Sequence, residues 1–413
     1  MTIFLLLIIY IIFISLGLPD SIIGSVWPSM ANSFGVSADY QGIVTITISI
    51  CTIISSFFTV KLLNWFKPQY VVISSILLTC IGIVCMSYSI EFYLLILSCI
   101  PFGLGAGAID CTLNNYVAIN YKAIHMNFLH AFWGVGTIIS PLILGAFLSN
   151  NSEGWRIGVL VLAAIQTVIF VFCVSTIWVW KKASSEFDKR EKIEEKNEVI
   201  KLGFFKTFKI RGVLFAIIAF FSYIAVESLT GMWISSFATY GVSDVVEFSA
   251  TTVAQFTSLF YLGITVGRFL GGLLSLKIND VIRLRIGEGI ILLGVIFLST
   301  TTFIKSGDYI SIFIPVSAFL IGLGCGPVYP AIIHATPKRF TKSLSQNVMS
   351  VQIGCAYIAN ISVAPLFGLI GENVSFLLLP LIIFIFLFLL IGGNEIVLFK
   401  VKDKTKLIDL SKK

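Results

Sequence analysis

The chain has 413 residues, of which 57% are hydrophobic and 12% charged, with a formal net charge of +7 and a mean hydropathy of +0.98. Soluble globular chains are about 45–50% apolar and about 25% charged, so the composition excludes an ordinary soluble domain and points to a membrane protein. The positive charge does not form a folded basic face of the kind a nucleic-acid binder needs.

Twelve apolar runs reach the roughly 20 residues that a bilayer span requires. They lie near 3–27, 41–64, 69–89, 92–118, 126–149 and 156–180, and then 211–239, 251–276, 285–304, 309–335, 345–370 and 374–398. No alternation of about ten-residue strands is present, which argues against a β-barrel. The expected fold is therefore an all-α membrane protein of twelve transmembrane helices. Its expected units are a six-helix bundle over 1–180, a cytoplasmic linker over 181–209, a second bundle over 210–398 and a cytoplasmic tail over 399–413.

The first run carries Asp20-Ser21 with Gly24 and Trp27. It lacks a basic leader and a small-residue cleavage site, and Pro19 and Asp20 interrupt it, so it is expected to remain as the first helix rather than be cleaved. A carboxylate inside a span is costly in lipid and calls for an explanation. Removed from bulk water, a carboxyl group can gain or lose a proton near neutrality, which a proton-coupled carrier requires. The plainer role for Asp20 is a helix cap near the outer mouth.

In the fourth run, Gly103, Gly105 and Gly107 precede Asp110. Asp110 and Asn114 are four apart and share one helix face, with Asn115 beside them. Together they offer acceptors and amide donors to one polar solute. The alternative is a buried structural carboxylate held by Asn114. The fifth run holds His130, able to relay a proton or bond a hydroxyl, together with Trp133 and Gly134. Lys181 to Lys209 then mixes basic and acidic residues, as a solvated linker does; its spaced apolar residues also suit a surface helix at the headgroups.

The seventh run repeats features of the first. Glu227-Ser228 with Gly231 and Trp233 stands 207 residues or so after Asp20-Ser21, Gly24 and Trp27. Gly322, Gly324 and Gly326 likewise echo Gly103, Gly105 and Gly107. Similarity between halves indicates a duplicated bundle, as in carriers built from parallel repeats. Glycines four apart, including Gly263, Gly267 and Gly271, let helix backbones approach closely. Arg268, among those glycines, is expected to be a structural charge paired near the cytoplasmic end of its helix. Gln352 and Asn360 in the eleventh run add neutral hydrogen-bonding groups. Trp27, Trp133 and Trp233 lie beside the polar intramembrane residues, where their rings could stack on the apolar faces of a sugar.

Lys and Arg are unevenly distributed: with the N-terminus inside, 25 of the 28 fall on the cytoplasmic side. This places the protein in the cell membrane with both termini cytoplasmic. All eight cysteines lie in apolar runs without a zinc-type pairing and read as small packing residues. There is no soluble domain and no room for a nucleotide-binding domain. The chain is thus expected not to be an enzyme and to use neither a metal nor a cofactor.

These residues resemble the major facilitator superfamily over nearly the whole chain, and within it the fucose–proton symporter family and its sodium-dependent glucose transporter-like relatives. The resemblance is carried by Gly17-Leu18-Pro19-Asp20-Ser21 through Trp27 and Pro28, by Gly103-Leu104-Gly105 leading to Asp110, Asn114 and Tyr116, by Asn127 to Gly134, and by Tyr223 to Glu227 with Gly231 and Trp233. The sequence departs from that family where Asp110 replaces the usual Glu and Asn115 a common proline. The helix 2–3 signature is also degraded around Lys61 to Lys67.

The resemblance implies alternating access between two lobes, and proton-coupling roles for Asp20 and Asp110, with Glu227 as the counterpart in the second half. Expected substrate contacts are Asn114, Asn115, His130, Trp27, Trp133, Trp233, Gln352 and Asn360. The expected partners are a small polar solute, foremost a sugar, and the lipid bilayer, with no nucleic acid; the expected assembly is a monomer. The coupling ion is a proton, with sodium as the alternative. A drug or metabolite efflux antiporter on the same fold, or a non-transporting membrane sensor, would also account for the pattern.

Overall fold

The computed structural model describes residues 2–121, 123–148, 153–187, 204–340 and 342–401. Most of the predicted linker and nearly all of the tail lie outside the described residues. The first span is two helices, α1 (Thr2–Asp20) and α2 (Ile22–Phe34), broken at Ser21 just after Pro19. It is followed by α3 (Gln41–Trp65), α4 (Pro68–Ser87), α5 (Phe92–Asn120), α6 (Ala123–Leu148), α7 (Gly154–Ser175), α8 (Ile177–Phe187) and the short α9 (Phe204–Thr207). The second half comprises α10 (Val213–Ser236), α11 (Ala250–Leu274), α12 (Asp280–Phe303), α13 (Gly307–Phe340), α14 (Lys342–Asn373) and α15 (Leu379–Lys400).

Among the described residues, 11 helical segments are long and apolar enough to cross a membrane. Helix α12, 24 residues long, opens with Asp280, Arg283, Arg285 and Glu288 and is the twelfth of the bundle.

Local signals set the helix ends. Gly35, in the left-handed region at φ 63°, closes α2 by turning its N–H back to the Asn32 carbonyl. Asn279 caps α12 by accepting from the Ile282 N–H at 2.9 Å, and Ser249 caps α11 by accepting from Thr252. Pro68 occupies the first turn of α4, where its missing N–H costs nothing.

The glycine rows decide how the helices pack. A Cβ on Gly103 or Gly107 would strike the α3 backbone, and one on Gly105 would strike Ser75 of α4. The second half repeats this arrangement. Gly322 and Gly326 face α11, and Gly324 faces α12 at Gly287. Within a bilayer, lipid is as apolar as leucine, so such backbone-to-backbone contact supplies the association that hydrophobicity cannot. The two halves therefore share one packing scheme, with α5 between α3 and α4 and α13 between α11 and α12. All eight cysteines are free.

Buried apolar side chains form separate cores in the two lobes. Leu5, Ile9, Phe13, Ile109 and Trp180 belong to one lobe, and Phe220, Tyr223, Phe260, Ile321 and Leu387 to the other. The lobes are joined at the end of the bundle away from both termini. There Gln41 Nε2 donates to the Met232 carbonyl at 2.9 Å, and Thr251 to Gly145 at 2.8 Å. Ser258 donates to Ile138 at 3.0 Å, Thr257 to Gly24 at 3.4 Å, and the Ala38 N–H to Glu372 at 3.2 Å.

A candidate solute cavity between the lobes

A cavity of about 410 Å³ lies between the lobes, just inside this seam. That volume falls within the range of small-molecule sites, about 300–1,000 Å³. Its walls bring together residues far apart in sequence: Asp20, Asp110, His130 and Trp133 from one lobe, and Glu227, Arg268 and Asn360 from the other.

Helix packing explains why Asp20 and Trp133 meet. Gly17 has no side chain, so α1 touches the α6 backbone at the Trp133 carbonyl. Three residues further on, α1 ends at Asp20, and Trp133 Nε1 donates to Asp20 Oδ2 at 2.7 Å. At the next residue of α6, Gly134 admits Thr265 of α11. That approach across the lobe boundary brings Arg268, three residues after Thr265, over the Trp133 ring at 5.0 Å from its centroid.

Arg268 is ion-paired with Glu227 at 3.6 Å, and its side chain is only 10% exposed. Its Nη1 also donates to the His130 carbonyl at 3.4 Å. The His130 ring packs edge-on against Phe13 and near Tyr329. On the other wall, Asn114 Nδ2 donates to Asp110 Oδ1 at 2.8 Å.

Not every predicted contact reaches the cavity. Asn114 supports Asp110 instead of lining the space itself, and its neighbour Asn115 is exposed elsewhere on α5. Trp27 is fully buried outside the cavity, where its indole N–H donates to the Ala38 carbonyl at 2.7 Å. Trp233 is buried likewise, donating to the Ala364 carbonyl at 2.8 Å and packing on Phe367 and Phe376. Gln352 sits between helices, accepting from Thr336 at 3.2 Å and donating to the Ala216 carbonyl at 3.4 Å.

Arg268 is corrected in the opposite direction. Its backbone is near the end of α11, but its side chain reaches the central cavity instead of pairing at that end. Three tyrosines were not singled out from the sequence and line the same space: Tyr261, Tyr329 and Tyr357. Spacing offered a signal for two of them. Tyr261 precedes Arg268 by two helical turns, and Tyr357 precedes Asn360 by three residues, so each pair shares a face.

A family model described as the Major Facilitator Superfamily matches residues 9–364. The chain is similar to the multidrug efflux pump SdrM of Staphylococcus aureus (strain N315), 29% identical over 142 residues, which is 33% of this chain and 30% of the pump's length. Its fold is similar to that of a D-xylose-proton symporter, with a TM-score of 0.70 at 13% identity, covering 95% of this chain and 96% of the other. It is also similar to FucP, a Major Facilitator Superfamily transporter solved in an outward conformation, with a TM-score of 0.60 at 12% identity, covering 95% and 98%.

Proposed function

Since the chain belongs to the Major Facilitator Superfamily, we propose that it is a secondary active transporter that takes up a sugar or similar polyhydroxylated solute together with a proton. The observation that carries this reading is the composition of the cavity between the lobes. Three acidic side chains face it along with Trp133, Tyr261, Tyr329 and Tyr357. Carboxylates and the Asn360 amide can bond hydroxyls, while aromatic rings can cover the apolar face of a sugar ring.

Asp20 and Asp110 exchange the coupling proton. An ionised carboxyl resists any movement that strips its polar contacts, and protonation removes most of that cost. Solute binding then shifts the population between conformations open to either side. The excess of Lys and Arg on one side supports cytoplasmic termini, and on that orientation the seam closes the outer side. The similarity of fold to a D-xylose-proton symporter supports the reading without fixing the solute.

The partial match to SdrM favours a second reading, proton-driven efflux of drugs or metabolites. Proteoliposomes holding the full chain, acidic outside and alkaline inside, separate the two. Accumulation of D-xylose or L-fucose against its gradient, lost in Asp110→Asn at normal protein level, is expected. Ethidium moving in exchange for protons, with no sugar moved, would replace uptake by efflux.

A further inference from the structure

Four side chains form a line across the cavity from one lobe to the other. Asp20 accepts from the Trp133 indole N–H, the Trp133 ring carries the Arg268 guanidinium, and Arg268 pairs with Glu227. Asp20 and Glu227 occupy corresponding points of the first span in each half, so the line joins two equivalent positions. We propose that Arg268, seated on Trp133, makes the charge on Asp20 felt at Glu227, so that the two carboxyls titrate as one linked unit rather than separately. This deepens the transport reading and rests on it.

The indole makes two contacts that reinforce each other. Donating its N–H to an anion leaves more negative charge on the ring face, which strengthens the hold on a cation above it. A protonated Asp20 is a weaker acceptor, so both the hydrogen bond and the cation–ring contact loosen together.

Among the described residues, the other contacts of Arg268 are long. Its bond to the His130 carbonyl is long, at 3.4 Å, and the Glu227 contact at 3.6 Å exceeds a direct hydrogen bond. Loosening Trp133 therefore frees the guanidinium toward Glu227 and the second lobe. Asp110 of α5, His130 of α6, Tyr223 of α10, Tyr261 of α11 and Tyr329 of α13 also face this line. Trp133 touches both Asp20 and Arg268. Arg268 and Trp133 act here as positioning residues.

The test needs no solute. Tryptophan fluorescence of the full chain in nanodiscs is titrated with pH, and subtraction of the Trp133→Phe trace isolates the Trp133 signal. The expected signal changes with pH and is flattened by Asp20→Asn. Glu227→Gln, in the other lobe, moves its midpoint to lower pH by about one unit, a roughly ten-fold change in proton affinity. In an Arg268→Lys background, which keeps the charge but loses the planar guanidinium, the same substitution moves it by less than about a third of that. Arg268→Gln serves as the second background should the lysine variant misfold.

A Trp133 signal independent of pH, an unchanged midpoint in Glu227→Gln, or a full shift persisting without the arginine would each overturn the linkage. Transport assays are judged separately. A linked titration with no sugar uptake would remove the transport reading alone, and sugar uptake without linkage would remove only this inference.

Discussion

Gly24 and Gly231 meet backbone to backbone across the lobe boundary, where a Cβ on Gly24 would run into the Gly231 carbonyl. Both residues line the cavity, so the same contact forms its wall and closes the seam. A Gly24→Ala substitution is expected to disfavour this closed arrangement by about 1–3 kcal/mol, the usual cost of overpacking. Spin labels placed on the α2–α3 and α10–α11 connections should report a longer mean distance in the variant. An unchanged distance distribution would show that the seam can absorb the added methyl.

Trp27 and Trp233 are buried away from the cavity and bonded to main-chain carbonyls. Trp27→Phe and Trp233→Phe should each lower thermal stability by about 1–3 kcal/mol, because a buried main-chain carbonyl is left without its donor. The concentration of solute giving half-maximal uptake should stay within about two-fold of wild type. A large rise in that concentration for either variant would return the ring to the solute site.

Asp280 lies before the ninth predicted span, at the end of the bundle that carries the termini. Burial alone would raise its pKa, but bonds from Lys338 (2.7 Å), His334 (2.9 Å) and Arg283 outweigh it and lower it to about 2. A carboxyl whose pKa is depressed by folding stabilises the fold above its ordinary value, and that contribution fades as pH falls toward the folded value. Wild type should therefore lose stability between about pH 4 and pH 2 relative to Asp280→Asn, the gap between the two melting curves narrowing toward the acid end. At neutral pH the variant leaves Arg283 buried without its partner, at a cost of about 3–5 kcal/mol. A gap between the melting temperatures that does not narrow with acid would exclude this assignment.

Asn114 donates to Asp110 from one turn further along α5. Asn114→Ala removes that donor while leaving the carboxyl in place. If Asp110 carries the coupling proton, the pH at which proton-driven uptake is half-maximal should rise, because the ionised form loses a supporting hydrogen bond. Uptake assayed across an external pH series checks this. An unmoved profile with intact uptake would dissociate Asp110 from coupling.

The membrane fold was legible because apolar runs of span length leave few alternatives, and because the glycine rows recur in both halves. Polar residues in those runs were equally visible: Asp20, Asp110, His130, Glu227 and Asn360 all reach one cavity. The errors come from helical phase. Trp233 follows Glu227 by six residues, which places it on another side of α10. Trp27 follows Asp20 by two full turns and would share its face in an unbroken helix, but the break at Ser21 changes the phase. Asn115 sits about 100° from Asn114. The reach of Arg268 into the cavity was hidden because the length of its side chain, and the approach of α6 that Gly134 permits, cannot be read from its position in α11.

The hydrogen bonds described across the seam come mainly from hydroxyls and one carboxamide donating to carbonyls, with Glu372 as their charged acceptor. Ionic strength acts on charges and barely on such bonds. Raising the salt around this protein should therefore leave the joined face nearly as tight as before.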